Sequence, residues 1–228
     1  MFWRGYNGHE PEVINVFLSF IKKKKTFFDV GANVGYYSLL AACYNPVCKI
    51  YAFEPVAELY NHFREHIRLN RFSNISPLNV AVTDANREVA LYMSTVSDCS
   101  SSIIAGFRKS LGTRVVTGIS LDSFVDQNFI KTVDIIKIDV ETAEPLVLKG
   151  MKNILRNYRP DIICEVLYGC TENNLMHIFA DYDYRFYWLS PEGLIPKEKI
   201  IGDPSYTYQN YLFTPKEHPT IVKNNKVI

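Results

Sequence analysis

A chain of 228 residues, 47% hydrophobic and 21% charged, carries enough apolar side chain for the core of a full α/β domain. Its net charge of +1 lacks the basic excess expected of a protein that works on nucleic acid or on an anionic membrane. No run reaches the ~20 apolar residues a bilayer crossing needs, and the five cysteines include no CxxC pair, which argues against a zinc knuckle or a disulfide framework.

Val13, Phe17, Phe20 and Ile21 recur at helical spacing over 11–22, and Pro11 suits a first helical turn. The apolar stretch VINVFLSFI precedes Lys22 to Lys25, which reverses the order of a secretion signal. With Cys43 and Cys164 in apolar runs expected to be buried, a reducing cytoplasm is the expected compartment. TFFDVGA (26–32) reads as a strand, and a helix follows from Asn33 to about Tyr44. KIYAFEP (49–55) is a second strand, with a helix from Ala57 to about Asn70, and ISPLNVAV (75–82) is a third strand. From Arg87 to Gly118 the rhythm breaks. EVALYMST and RVVTGI alternate like exposed strands around the polar stretch DCSSSIIAGFRKS, so a β-rich insertion is expected over 87–118.

VDIIKIDV (133–140) restores the pattern, with a helix from about Ala143 to Asn157 in which Pro145 is tolerable only near the start. PDIICEV (160–166) is a strand, NNLMHIFADYD a helix, and YRFYWLS (184–190) and TYQNYLFTP (207–215) are strands expected to be antiparallel neighbours at a sheet edge. Alternating strands and helices predict a parallel sheet covered on both faces. No linker divides it, so residues 1–228 are expected to form one domain, with 1–25 a helical segment able to cover a site.

The stretch DVGANVG asks what ligand it would hold. A strand that ends on Asp29 and turns through Gly31 and Gly35 into a helix offers backbone N–H groups beyond the carboxyl edge of a sheet. A dinucleotide fingerprint needs a bare middle glycine against the pyrophosphate, and here that position is Asn33. S-adenosylmethionine has no phosphate. The helix N-terminus can hold its carboxylate, Asp29 its ammonium, and Glu54, at the end of the second strand, both ribose hydroxyls. An NAD enzyme uses an acid at Glu54's place too, so Asn33 tips the choice.

The segments DVGANVGYYS, FEP, LNVAVTD, SLDSF and IKIDVETAEPLVLKGM together resemble the FkbM family of S-adenosylmethionine-dependent methyltransferases, over roughly residues 8 to 215. The family pattern D-V-E-G-A-E has Thr142 here in place of its glycine. The resemblance implies a class I methyltransferase fold, a Rossmann-like three-layer sandwich around a mostly parallel seven-stranded sheet with an antiparallel last strand. It also implies O-methylation of a hydroxyl on a sugar, glycan or natural product. Carried over by position, Gly31, Ala32, Asn33 and Gly35 correspond to the cofactor loop, Asp29 to the acid beside the methionine end, Glu54 to the ribose ligand, and Val80 and Ala81 to the adenine edge.

Asp139 and Glu141 lie two apart at the end of VDIIKIDV and face one side if the strand persists that far, and Glu165 ends the next strand on the same rim. Any of the three can act as the carboxylate that takes the hydroxyl proton, while Glu144 is read as structural in a first helical turn. His9 and the aromatics Phe2, Trp3, Tyr6, Tyr36 and Tyr37 are further candidates for the site or its acceptor pocket. Three acids on one rim also allow a divalent cation, although the fifth strand carries Glu165-Val166 where metal-dependent relatives of this fold carry Asp-Asn; no metal is assigned. Methylation of nucleic acid is the alternative, against which the fourth strand ends in DVET rather than N/D-P-P-Y. A non-catalytic module that keeps the fold as a scaffold is another.

Overall fold

In the computed structural model, residues 10–94, 101–107 and 109–216 are described. The elements run α1 (Pro11–Ile21), β1 (Thr26–Val30), α2 (Tyr36–Tyr44), β2 (Lys49–Phe53), α3 (Ala57–Asn70), β3 (Ile75–Leu78), β4 (Ala81–Val82), β5 (Arg87–Ser94) and β6 (Ser110–Ile119), then α4 (Leu121–Gln127), β7 (Ile135–Ile138), α5 (Glu144–Lys149), α6 (Lys152–Asn157), β8 (Asp161–Glu165), α7 (Glu172–Phe179), β9 (Arg185–Ser190), β10 (Gly193–Lys197) and β11 (Asn210–Thr214). The main sheet has the order β10-β9-β11-β8-β7-β1-β2-β3. β1 lies centrally, parallel to β2 and β7, and β11 runs antiparallel between β8 and β9.

The central strands TFFDV and IIKI are buried along their whole length, as parallel strands covered on both faces must be. α1, α2 and Phe63 of α3 pack on one face over Phe27, Ile135, Ile163 and Leu212. α4 to α7 pack on the other over Phe28, Val30, Ile136 and Ile138. Alternation along β1 therefore sends Asp29 toward α2, and alternation along β7 sends Lys137 to that same face.

Several boundaries depart from the sequence reading. The sheet has an eighth strand, β10, which pairs antiparallel with β9 and takes the edge expected for the last two strands. Pro196 within it hides the signal, since proline is tolerated in a strand only where no ladder bond is needed. The third strand ends at Leu78, and Ala81 belongs instead to β4 in a separate sheet of order β4-β6-β5. That sheet is the expected β-rich insertion, built on the β5–β6 antiparallel pair.

The single helix expected over 143–157 is broken into α5 and α6 at Gly150. A Cβ at Gly150 would lie 2.2 Å from the Thr83 carbonyl oxygen, so the chain presses flat there, and the Asp122 carboxylate accepts the Asn153 and Ile154 amides to start α6 anew. Asp122 lies on α4, a short helix that the sequence pattern did not reveal. Cys43 is exposed rather than buried, because α2 turns Tyr37, Ser38, Ala41 and Ala42 to the core. Among the described residues no helix is long and apolar enough to cross a membrane.

Candidate active site

The loop after β1 is shaped by close approach. A Cβ on Gly31 would sit 1.9 Å from the Asp139 carbonyl oxygen, and one on Gly35 would sit 1.9 Å from the Phe63 ring. Both glycines have φ above +80°, and Asn33 between them has φ 55°, the left-handed form that asparagine tolerates better than most side chains. Asp29 is buried, and its Oδ2 accepts the Ser38 amide at 3.0 Å and the Ser38 hydroxyl at 2.6 Å. The Asn33 side chain accepts the Val34 amide, and the Gly35 amide donates to the Ala32 carbonyl. Of the amides leading into α2, those of Val34, Gly35 and Ser38 thus have partners within the chain.

Glu54 is buried at the end of β2. One oxygen accepts the Asn33 amide and the other the Val56 amide, each at 2.8 Å. Each carboxylate oxygen retains a second lone-pair direction, enough for one hydroxyl apiece. Burial pushes the Asp29 carboxyl up to about 6 and the Glu54 carboxyl up to about 7, against the lowering effect of these hydrogen bonds.

Beyond β7 and β8 lies a second group of charges. Lys137, 1% exposed, pairs through Nζ with Asp139 Oδ2 at 3.1 Å, and its ammonium lies 5.3 Å from the centre of the Tyr37 ring. Glu10, at the start of α1, accepts the Tyr37 hydroxyl at 2.9 Å and the Asn210 amide group at 2.7 Å. Burial alone would discharge Lys137, but Asp139, Glu10 and Glu165 outweigh it and hold the ammonium charged. Glu165 stands opposite Asn210 across the β8–β11 pair. Burial, then the charge of Asp139, pushes its carboxyl up, with Lys137 opposing. Its Oε2 and the Oδ1 of Asn210 are buried with no hydrogen-bond partner among the described residues. Lys137, Glu10 and Asn210 were absent from the sequence reading. A lysine inside IIKI was the available signal, because an ammonium in a buried central strand demands carboxylates around it.

Asp139 and Glu141 do not share a strand face. β7 ends at Ile138, and Glu141 and Thr142 have φ of 52° and 76°. The condition for the two carboxylates to point together therefore fails. Asp139, with a 38% exposed side chain, stays on the rim, tied through its amide to the Val30 carbonyl. Two neighbouring side-chain-bearing residues in left-handed backbone cost on the order of 1–3 kcal/mol each. Glu144 takes the structural role expected, its Oε1 accepting the Thr142 amide at 3.1 Å, and burial raises its carboxyl to about 7. Val80 is half-buried in the connection after β3 and Ala81 is buried in β4, so the adenine-edge pair lies where the chain leaves the main sheet. Among the described residues no group of three or more His, Cys, Asp and Glu side chains is placed to hold a metal ion. Phe2, Trp3, Tyr6 and His9 lie outside the described residues.

The donor set tests which cofactor suits the crevice. Among the described residues, Asp29, Glu54 and Asp139 stand near the ends of β1, β2 and β7, Lys137 beside them is buried and already paired, and the amides of Gly31 to Gly35 all have partners within the chain. A diphosphate placed there would meet carboxylates and engaged amides rather than free donors. A ribose diol would meet the second lone-pair directions of Glu54.

A mostly parallel sheet in which β10 and β11 run against the other strands, with a glycine turn and two acids at the ends of β1 and β2, defines a Rossmann-like methyltransferase fold. Residues 29–186, more than half of the chain, match the family model described as the Methyltransferase FkbM domain. The chain belongs to that family and is an S-adenosylmethionine-dependent methyltransferase. It is 22% identical over 172 residues to hexuronic acid methyltransferase AglP of Haloferax volcanii, covering 75% of this chain and 68% of that protein. Among solved structures, methyltransferase FkbM from Methylobacillus flagellatus superposes with a TM-score of 0.56 at 15% identity, over 84% of this chain. The chain spans only 43% of that larger protein's length. SMU.1697c of Streptococcus mutans, solved in complex with SAH, superposes with a TM-score of 0.52 at 11% identity, over 89% of this chain and 94% of that one.

Proposed function

We propose that this chain methylates a hydroxyl on a sugar, or on another natural product that presents one, with the cofactor seated on the turn between β1 and α2. The observation that carries the reading is the acid-lined turn, where Glu54 offers a free lone-pair direction on each oxygen 2.8 Å from the amides that fix it. The name of the relative AglP, a hexuronic acid methyltransferase, supports a sugar as acceptor.

S-adenosylmethionine, when bound, supplies a methyl carbon on a sulfonium. The chain's own part is to bind, orient and move one proton. Glu54 accepts the ribose diol, and Gly31, Ala32, Asn33 and Gly35 form the wall beside it. Asp29 holds Ser38 and with it the first turn of α2, while Val80 and Ala81 border the adenine. Asp139 is the half-exposed carboxylate that takes the hydroxyl proton as the new C–O bond forms, with Lys137 fixing its position from beneath. Glu165, whose carboxyl is held up by burial, keeps its own proton and lines the acceptor side with Glu141. Alignment of the hydroxyl with the methyl carbon supplies much of the acceleration, and a placed base adds roughly 10²–10⁴-fold.

Calorimetry with S-adenosylmethionine is expected to give binding heat where NADH gives none. Glu54→Ala should weaken that binding about ten- to hundredfold, since hydrogen bonds to a charged acceptor contribute ~1.5–3 kcal/mol. Transfer of labelled methyl to a panel of hexuronate and neutral glycosides should fall far more in Asp139→Asn than its melting temperature does. Undiminished turnover would remove Asp139 from the site.

A further inference from the structure

We propose that Ser102, contributed by the β-rich insertion, is a positioning residue for methyl transfer. Its hydroxyl clamps the turn 139–142 in a backbone form the turn does not keep unaided. The inference rests on the proposed function, because it assigns a role to the turn that follows Asp139.

Glu141 and Thr142 both occupy left-handed backbone, a conformation that persists in side-chain-bearing residues only where the surroundings over-determine it. The turn is held from both sides. From within, Glu144 Oε1 accepts the Thr142 amide. From outside, Ser102 Oγ donates to the Glu141 carbonyl at 2.6 Å, from 39 positions away in the chain. That hydroxyl is itself fixed. Ser102 is 4% exposed, and its backbone pairs both ways with Tyr92 of β5, at 2.8 and 3.2 Å. Its oxygen accepts the Ile104 amide at 3.1 Å, which leaves its single proton directed at Glu141. The insertion, rooted by the long β5–β6 pair, therefore grips the rim at the step after Asp139. The placement of Asp139 and Glu141 then depends on a segment outside the main sheet.

The test is a double-mutant cycle with Ser102→Ala, Ser102→Thr and Thr142→Gly. A glycine at 142 adopts positive φ without strain and should hold the turn without the clamp. Ser102→Ala is expected to speed hydrogen exchange at the amides of 140–144 and to lower kcat about tenfold, with the S-adenosylmethionine Kd within about twofold of wild type. Ser102→Thr should restore kcat, and in the Thr142→Gly background Ser102→Ala should change it less than about threefold. Unaltered exchange, unaltered kcat, or a loss of kcat equal in both backgrounds overturns the proposal. If the wild-type protein gives no heat with S-adenosylmethionine, the functional reading fails instead, and the exchange arm alone still decides whether the clamp exists.

Discussion

Lys137 shows how one side chain organises this rim. It stands in a central strand, in register with Asp29 on one side and Ile163 on the other, and is enclosed on the α1–α2 face. Removing its charge would leave Asp139 and Glu10 without the ammonium between them, and losing a charged hydrogen-bond partner typically costs about 1.5–3 kcal/mol. Lys137→Met is therefore expected to lower unfolding free energy by about that amount at about pH 8. Denaturant titration measures it, and an unchanged unfolding free energy would mean that the ammonium does not hold this rim together. Asp29 and Glu54 were legible as strand-end acids beside glycines. Lys137 was passed over because its meaning comes from Glu10, Tyr37 and Asn210, which are remote in sequence and meet it only when α1, α2 and β11 assemble.

Among the elements, α3 presses closely on the turn that leads into α2. Gly35 has φ 88° and its Cα faces the ring of Phe63, so it serves both the turn and the helix packing. Gly35→Ala is expected to destabilise the fold by at least about 2 kcal/mol through strained backbone and overpacking together. A melting temperature within a degree or two of wild type would show that α3 can move aside. The sequence marked this turn well, since paired glycines after a buried strand have few other uses. It marked the 139–142 turn less well. Thr142 stands where the family pattern has glycine, and only the backbone shows that it takes a positive φ. The break between α5 and α6 was likewise invisible, because Gly150 is common in helix ends and its partner Thr83 lies in another sheet.

For the molecule as a whole, the buried acids set a pH dependence. Asp29 lies at about 6, and Glu54 and Glu144 at about 7, with burial the leading cause in each. In the unfolded chain such groups titrate near ~4. Between those limits the folded state binds more protons than the unfolded one, so their contribution is fully present below about pH 4 and is lost as pH rises through 6 and 7. Asp203, held down at about 2 by Ser205 and nearby amides, completes its change below that window. The melting temperature of the ligand-free protein is expected to fall between about pH 5 and pH 8. S-adenosylmethionine, a cation that favours the ionised carboxylates, should flatten the fall. A curve that rises over this range would contradict the buried-acid account.

The sequence by itself determined the alternation of buried strands and amphipathic helices, the glycine turn after β1 and the acids at the ends of β1, β2, β7 and β8. These follow from local periodicity and backbone preference, which any short window of the chain carries. Tertiary structure alone decided the edge strand β10, the passage of Ala81 into a second sheet, the charged nest around Lys137 and the grip of Ser102 on Glu141. Each of these depends on contacts between segments far apart in the chain, where burial turns an ordinary lysine or serine into a group that must find a partner.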